Sequence, residues 1–67
     1  MSWLFVDTEE SSYAPPPPGK LALLFIFRDE ETGKERSLLS YLDENYGEED
    51  IVAEADRLRV CLDNGEL

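Results

Sequence analysis

The sequence contains no histidine and a single cysteine, Cys61. Without histidine, the commonest general base and metal ligand is missing, and so is the usual activator of a cysteine nucleophile. One cysteine excludes an intrachain disulfide. Its neighbours, Val60 and Leu62, predict a buried structural thiol rather than a reactive one. Cations are scarce: six Lys and Arg stand against sixteen Asp and Glu, a net charge of -10. Such a surface repels nucleic acid and anionic membranes. It favours solubility but destabilises the fold through self-repulsion.

Long apolar runs are absent as well. The longest, Leu21 to Phe27, is about a third of the ~20 residues a membrane span needs. The opening, Met1-Ser2-Trp3-Leu4-Phe5-Val6-Asp7, lacks the basic region of a secretory signal. The expectation is a cytoplasmic protein, in the host cytoplasm if a phage encodes it. No phosphate-cradling loop is present: Gly19, Gly33, Gly47 and Gly65 are isolated turn or cap residues. The acidic run Asp29-Glu30-Glu31 lacks the alternating ligands of a calcium loop and reads as a solvated turn. No cofactor, no metal and no enzymatic activity are expected.

What is present is a single domain, 1–67, with an N-terminal strand or tail and a proline-rich segment (1–19) ahead of a core at 20–62. Trp3 to Val6 reads as a short strand or a docking tail, and Asp7 to Tyr13 as loop. Pro15 to Pro18 forces polyproline II and reads as a stiff spacer rather than a ligand motif. Lys20 to Arg28 is the clearest strand. It is apolar at nearly every position, the pattern of a strand covered on both faces. One cover would be a helix of the same chain. The simplest second cover is a partner subunit, with Trp3 and its neighbours competing. Self-association is also the usual remedy for a small core with no staple, so a homodimer is expected.

After a hairpin turn at 29–34 and a short return strand, Ser37 offers an N-cap. Leu38, Leu39, Leu42 and Tyr46 follow at helical spacing, with Gly47 as the closing residue. Residues 48–62 fit both periods; the spacing is read as helix at 49–55 and a last strand at 57–62. The expected fold is α+β: an antiparallel sheet of three to four strands with one or two short helices, in the order β(β)βαβ.

The acids cluster. Asp43, Glu44, Glu48, Glu49 and Asp50 lie within eight residues, Glu54 and Asp56 extend the run, and the turn at 29–31 adds three more. A helix rises about 1.5 Å per residue, and duplex DNA carries one charge per roughly 1.7 Å of axis. Carboxylates on an exposed helix therefore approximate phosphate spacing and suit a basic groove in place of DNA. Tyr46 beside them is good interface material. The bland alternative is a solubilising surface.

The stretch 21–62 also resembles the small uracil-DNA glycosylase inhibitors of phi29-like phages. The parallels are the apolar strand Leu21–Phe27, the acidic turn Asp29–Lys34, Ser37-Leu38 at a helix start, Tyr46-Gly47 at its end, then Asp50-Ile51-Val52 and a final apolar strand ending at Leu62. The resemblance implies a dimer with a three-stranded sheet and one helix per subunit. It places Leu42 at an aromatic position, Asp43 at an acid and Tyr46 at a tyrosine that together grip the target enzyme. Residues 1–19 have no counterpart. The partner-binding residues expected are thus Leu42, Asp43, Tyr46, Glu48, Glu49 and Asp50. The expected activity is DNA-mimic inhibition of a host DNA-binding enzyme, first of all uracil-DNA glycosylase. Rival readings are inhibition of RNA polymerase, restriction or CRISPR machinery, and a small acidic adaptor or assembly subunit with no mimicry.

Overall fold

The computed structural model describes residues 2–12 and 15–66; Tyr13, at the end of the expected loop, and Leu67 lie outside them. Three strands and one helix follow in order: β1 (Trp3–Glu10), β2 (Lys20–Asp29), β3 (Glu35–Asp43) and α1 (Glu48–Asp63). The sheet is antiparallel with β2 in the middle. This is an α+β fold with a three-stranded sheet and one helix, in the order βββα.

The order departs from expectation in its second half, and β2 supplies the reason. A strand that is apolar almost throughout buries its backbone, so its N–H and C=O groups need partners on both edges. β1 fills one edge and β3 the other. β3 pairs without interruption from Arg28↔Glu35 to Lys20↔Asp43. The segment 37–46, read as helix, is therefore strand as far as Asp43. Its leucines satisfy period two as well: Leu38 and Leu42 turn toward the core, while Leu39 and Tyr41 are exposed.

The last segment is helix throughout, so the strand expected at 57–62 is absent. Ile51, Ala55, Leu58 and Leu62 make one helical face: the last three are buried and Ile51 packs beside them, whereas Val60 is exposed. Ion pairs Glu54–Arg57, Asp56–Arg59 and Arg59–Asp63 span three or four positions along the helix surface, a spacing only a helix brings together. Gly47 precedes this helix instead of closing an earlier one. At the other end of the chain, β1 runs on to Glu10 through residues expected as loop. A bulge between Phe5 and Asp7 shifts its register.

The core lies between one sheet face and α1: Trp3, Leu23, Phe25 and Phe27 meet Ala55, Leu58 and Leu62, with Leu38, Leu42, Tyr46 and Ile51 around them. The hairpin turn closes through Asp29. Its carboxylate is buried and accepts from the Glu31 N–H at 3.0 Å and the Thr32 hydroxyl at 3.1 Å. Gly33, at φ 75°, donates its N–H to the Asp29 carbonyl, a conformation that costs a residue with a Cβ more. Cys61 is half-buried on α1 rather than in the core. Its thiol is pushed up from the ordinary value, first by desolvation and then by Glu66, which keeps the thiolate scarce at neutral pH.

Candidate functional site

All six expected partner-binding residues come together at one end of the molecule, on elements other than those expected. Leu42 and Asp43 end β3, Tyr46 sits in the connection, and Glu48, Glu49 and Asp50 form the first turn of α1. The segment 37–46, where the resemblance places a helix, is strand as far as Asp43 and a turn beyond it, so Leu42, Asp43 and Tyr46 are presented by a strand end and a tight connection instead.

Local bonding explains the connection. The Asp43 carboxylate accepts from the Asn45 N–H at 2.9 Å, and the Asp43 carbonyl accepts from the Tyr46 N–H at 2.9 Å. The chain thereby turns within a few residues and delivers Gly47, whose N–H donates to the Asp50 carboxylate at 2.9 Å. Acids in a first helical turn also face the positive end of the helix dipole, which stabilises each by about 0.3–1 kcal/mol when exposed. Asp43 and Asp50 thus have work inside the fold. Glu44, Glu48 and Glu49 are exposed and make no side-chain hydrogen bond or ion pair among the described residues.

The same end carries a cleft of about 340 Å³ lined by Leu42, Asp43, Tyr46, Asp50, Ala53, Glu54 and Arg57. That is near the lower limit for a ligand-sized pocket and suits one inserted side chain. Leu42 and Tyr46, both half-buried, form its apolar floor against the core. Ala53, Glu54 and Arg57 were not anticipated as lining residues. The signal for them was the 3.6-residue period that continues Asp50 along α1.

The wider acidic surface is smaller than the sequence suggests. Arg57 holds Glu54 through two hydrogen bonds, and Arg59 holds Asp56 and Asp63. Glu54 and Asp56 therefore do not extend the free cluster. The turn acids at 29–31 lie at the far end of the β2–β3 hairpin, roughly 27 Å from Asp43 at ~3.4 Å per residue. Asp29 is turned inward, and Glu30 accepts a bond from the Ser2 hydroxyl. The outcome is a compact acidic cap over residues 43–50, not a ridge along a helix.

The titration of Glu54, which lines the cleft, is displaced. The Arg57 guanidinium holds it below its ordinary value of 4.5; burial opposes this, and the Ser40 hydroxyl adds to it. Ser40 donates to Glu54 across the sheet–helix junction. A carboxyl group with a folded pKa below its unfolded one adds stability that is fully present above the unfolded value and lost as pH falls through the folded value. Glu54→Gln should therefore reduce stability by a constant amount from neutral pH down to about 5. Below 4.5 the gap to wild type should close. Urea denaturation across that range reads it out, and a gap that widens on acidification contradicts the assignment.

Among the described residues, no helix is long and apolar enough to cross a membrane. Nor is any group of three or more Cys, Asp or Glu side chains disposed to hold a metal ion. Comparison of the chain with protein-family models, with curated proteins and with solved structures finds no match.

Proposed function

We propose that this protein is a binding protein without chemistry of its own, whose acidic cap engages a cationic, DNA-handling surface of another protein and obstructs it. The carrying observation is the cap: five carboxylates, from Asp43 to Asp50, gathered where β3 ends and α1 begins, with no ion pair among the described residues and an apolar-floored cleft beside them. Charge supplies steering and register, and the cleft supplies the anchor. Fully desolvated contacts of that kind carry most of the energy in such interfaces. The partner-facing residues are Leu42, Asp43, Tyr46, Glu48, Glu49 and Asp50.

The target follows from the chemistry: an enzyme with an open basic groove. Uracil-DNA glycosylase is the first to assay, with RNA polymerase, restriction and CRISPR nucleases next. The purified protein is added at micromolar concentration to glycosylase acting on uracil-containing DNA, and then to the others. Inhibition relieved by salt or by excess competing DNA supports mimicry; no inhibition of any of them overturns it.

A second reading has its own support. Asp50 caps α1, and its first-turn neighbours suit the helix dipole. The cap could then be structural, and the protein a small adaptor. Under that reading, neutralising the exposed glutamates leaves partner binding intact.

A further inference from the structure

The walls of the cleft beside the acidic cap differ sharply from its floor. The floor is apolar: Leu42 and Tyr46, both half-buried against the core. The rim is ionic. Asp43 stands at the end of β3, Asp50 in the first turn of α1, and Glu54 and Arg57 follow along the helix. Arg57 donates to both carboxylate oxygens of Glu54, at 2.8 Å each, and so neutralises that acid. Three carboxylates against one guanidinium leave the lining two negative charges in excess. Those two reside on Asp43 and Asp50.

Both of these carboxylates are held in place by one bond each. Oδ1 of Asp43 accepts from the Asn45 N–H, and Oδ2 of Asp50 accepts from the Gly47 N–H. Among the described residues, neither second oxygen accepts a hydrogen bond or joins an ion pair. A wholly apolar side chain seated on Leu42 and Tyr46 would take water from these oxygens and return no donor. Desolvating a carboxylate without a partner costs more than an apolar contact returns. A side chain with an apolar stem and a cationic tip satisfies floor and rim together. Arginine does so better than lysine. Its planar fork can donate to two carboxylates at once, its charge is less strongly hydrated, and it stacks on a tyrosine ring.

We propose that the cleft is an arginine-acceptor site. An arginine of the partner protein inserts its methylene stem against Leu42 and Tyr46 and sets its guanidinium between Asp43 and Asp50. This inference rests on the reading of the cap as a partner-binding surface, and it names the residue by which the partner is anchored. The roles on the cap then divide. Glu44, Glu48 and Glu49 attract any basic surface, whereas the cleft discriminates among basic surfaces and favours one that offers an arginine free to extend. Glu54 stays committed to Arg57, so the incoming charge is directed to the two acids without an ion pair.

The probes are three capped tripeptides, Gly-Arg-Gly, Gly-Lys-Gly and Gly-Phe-Gly, added at constant ionic strength to the isotope-labelled chain. A single side chain held by so few contacts should bind in the millimolar range, so the titration runs to roughly 50 mM. The arginine peptide should move the amide NMR signals of Asn45, Gly47 and Ala53 saturably. Its affinity should exceed that of the lysine peptide by about 3-fold or more, and the phenylalanine peptide should not saturate these signals. Ala53→Leu, at an exposed helical position on the cleft wall, fills the site at unchanged net charge. It should abolish the saturable shifts with the circular dichroism of the fold unchanged, whereas the small change Ala53→Ser should retain them. Equal binding of the arginine and lysine peptides overturns the proposal. So does tighter binding of the phenylalanine peptide, a response that survives Ala53→Leu, or no saturation by the arginine peptide. None of the probes is a DNA-handling protein, so the two readings fail separately. Peptide binding with no enzyme inhibited leaves the cleft and removes the mimic; inhibition without peptide binding leaves the cap and removes the arginine site.

Discussion

Phe25→Ala should leave the chain largely unfolded at 25 °C. Phe25 is wholly buried in the central strand, paired with Thr8 on one side and Leu38 on the other. Its ring lies 6.0 Å from that of Phe5, which also sits 5.6 Å from Phe27. Truncating a buried phenylalanine costs about 3–5 kcal/mol through lost transfer energy and the cavity left behind. A single core of this size supplies roughly 3–5 kcal/mol in all, so the one substitution consumes nearly the whole margin. Circular dichroism and urea titration at 25 °C read the result. A cooperative transition with a midpoint close to wild type would show that stability resides elsewhere. Val60→Ala, on the exposed side of α1, serves as the control and should change stability by no more than about 0.5 kcal/mol.

The second large effect is on binding. Glu44→Gln, Glu48→Gln and Glu49→Gln together take the net charge from -10 to about -7 by removing three charges. These three positions are chosen because Asp43 and Asp50 hold backbone N–H groups and the glutamates hold none. Each exposed charge pair across an interface is worth about 0.2–1 kcal/mol, so the triple variant should lose roughly 0.6–3 kcal/mol, about 3- to 150-fold in affinity for a basic enzyme groove. Most of that loss should appear in the association rate at low salt. It should shrink as ionic strength rises from roughly 50 to 300 mM, where screening already weakens the wild-type contacts. Equal affinity of variant and wild type at low salt would favour the adaptor reading, in which these acids serve only the helix and the solvent.

Particular segments show where a local reading of this chain succeeds and where it stops. Leu21–Phe27 reads as a strand on composition alone, because a run of apolar residues this short, led into by Gly19 and followed by an acidic glycine turn, has few other uses. Leu38 to Tyr46 does not read uniquely. Its leucines fit a helix as well as a strand, and the choice was made by the unpaired edge of β2, some distance away in the chain. Residues 57–62 carry the opposite ambiguity. There the alternation of Leu58, Val60 and Leu62 was the misleading signal, and the charge pairs at three- and four-residue spacing, present in the sequence all along, were the correct one.

The acidic site shows the same division. Its six expected residues do meet, but a strand end and a helix start bring them together rather than one helix. Membership of the surface was decided by arginines one turn away, which withdraw Glu54 and Asp56 from it.

By itself, then, the amino-acid sequence determined the quantities that depend only on composition and on short runs: a strongly negative chain, no histidine-based chemistry, no staple, one dominant apolar strand and a glycine turn after it. Tertiary structure alone decided which strands flank β2, which carboxylates of the described residues stay unpaired, and which sheet face α1 covers. The physical reason is that backbone hydrogen bonds and ion pairs must be satisfied between segments. A segment compatible with two periods adopts whichever one completes its neighbours.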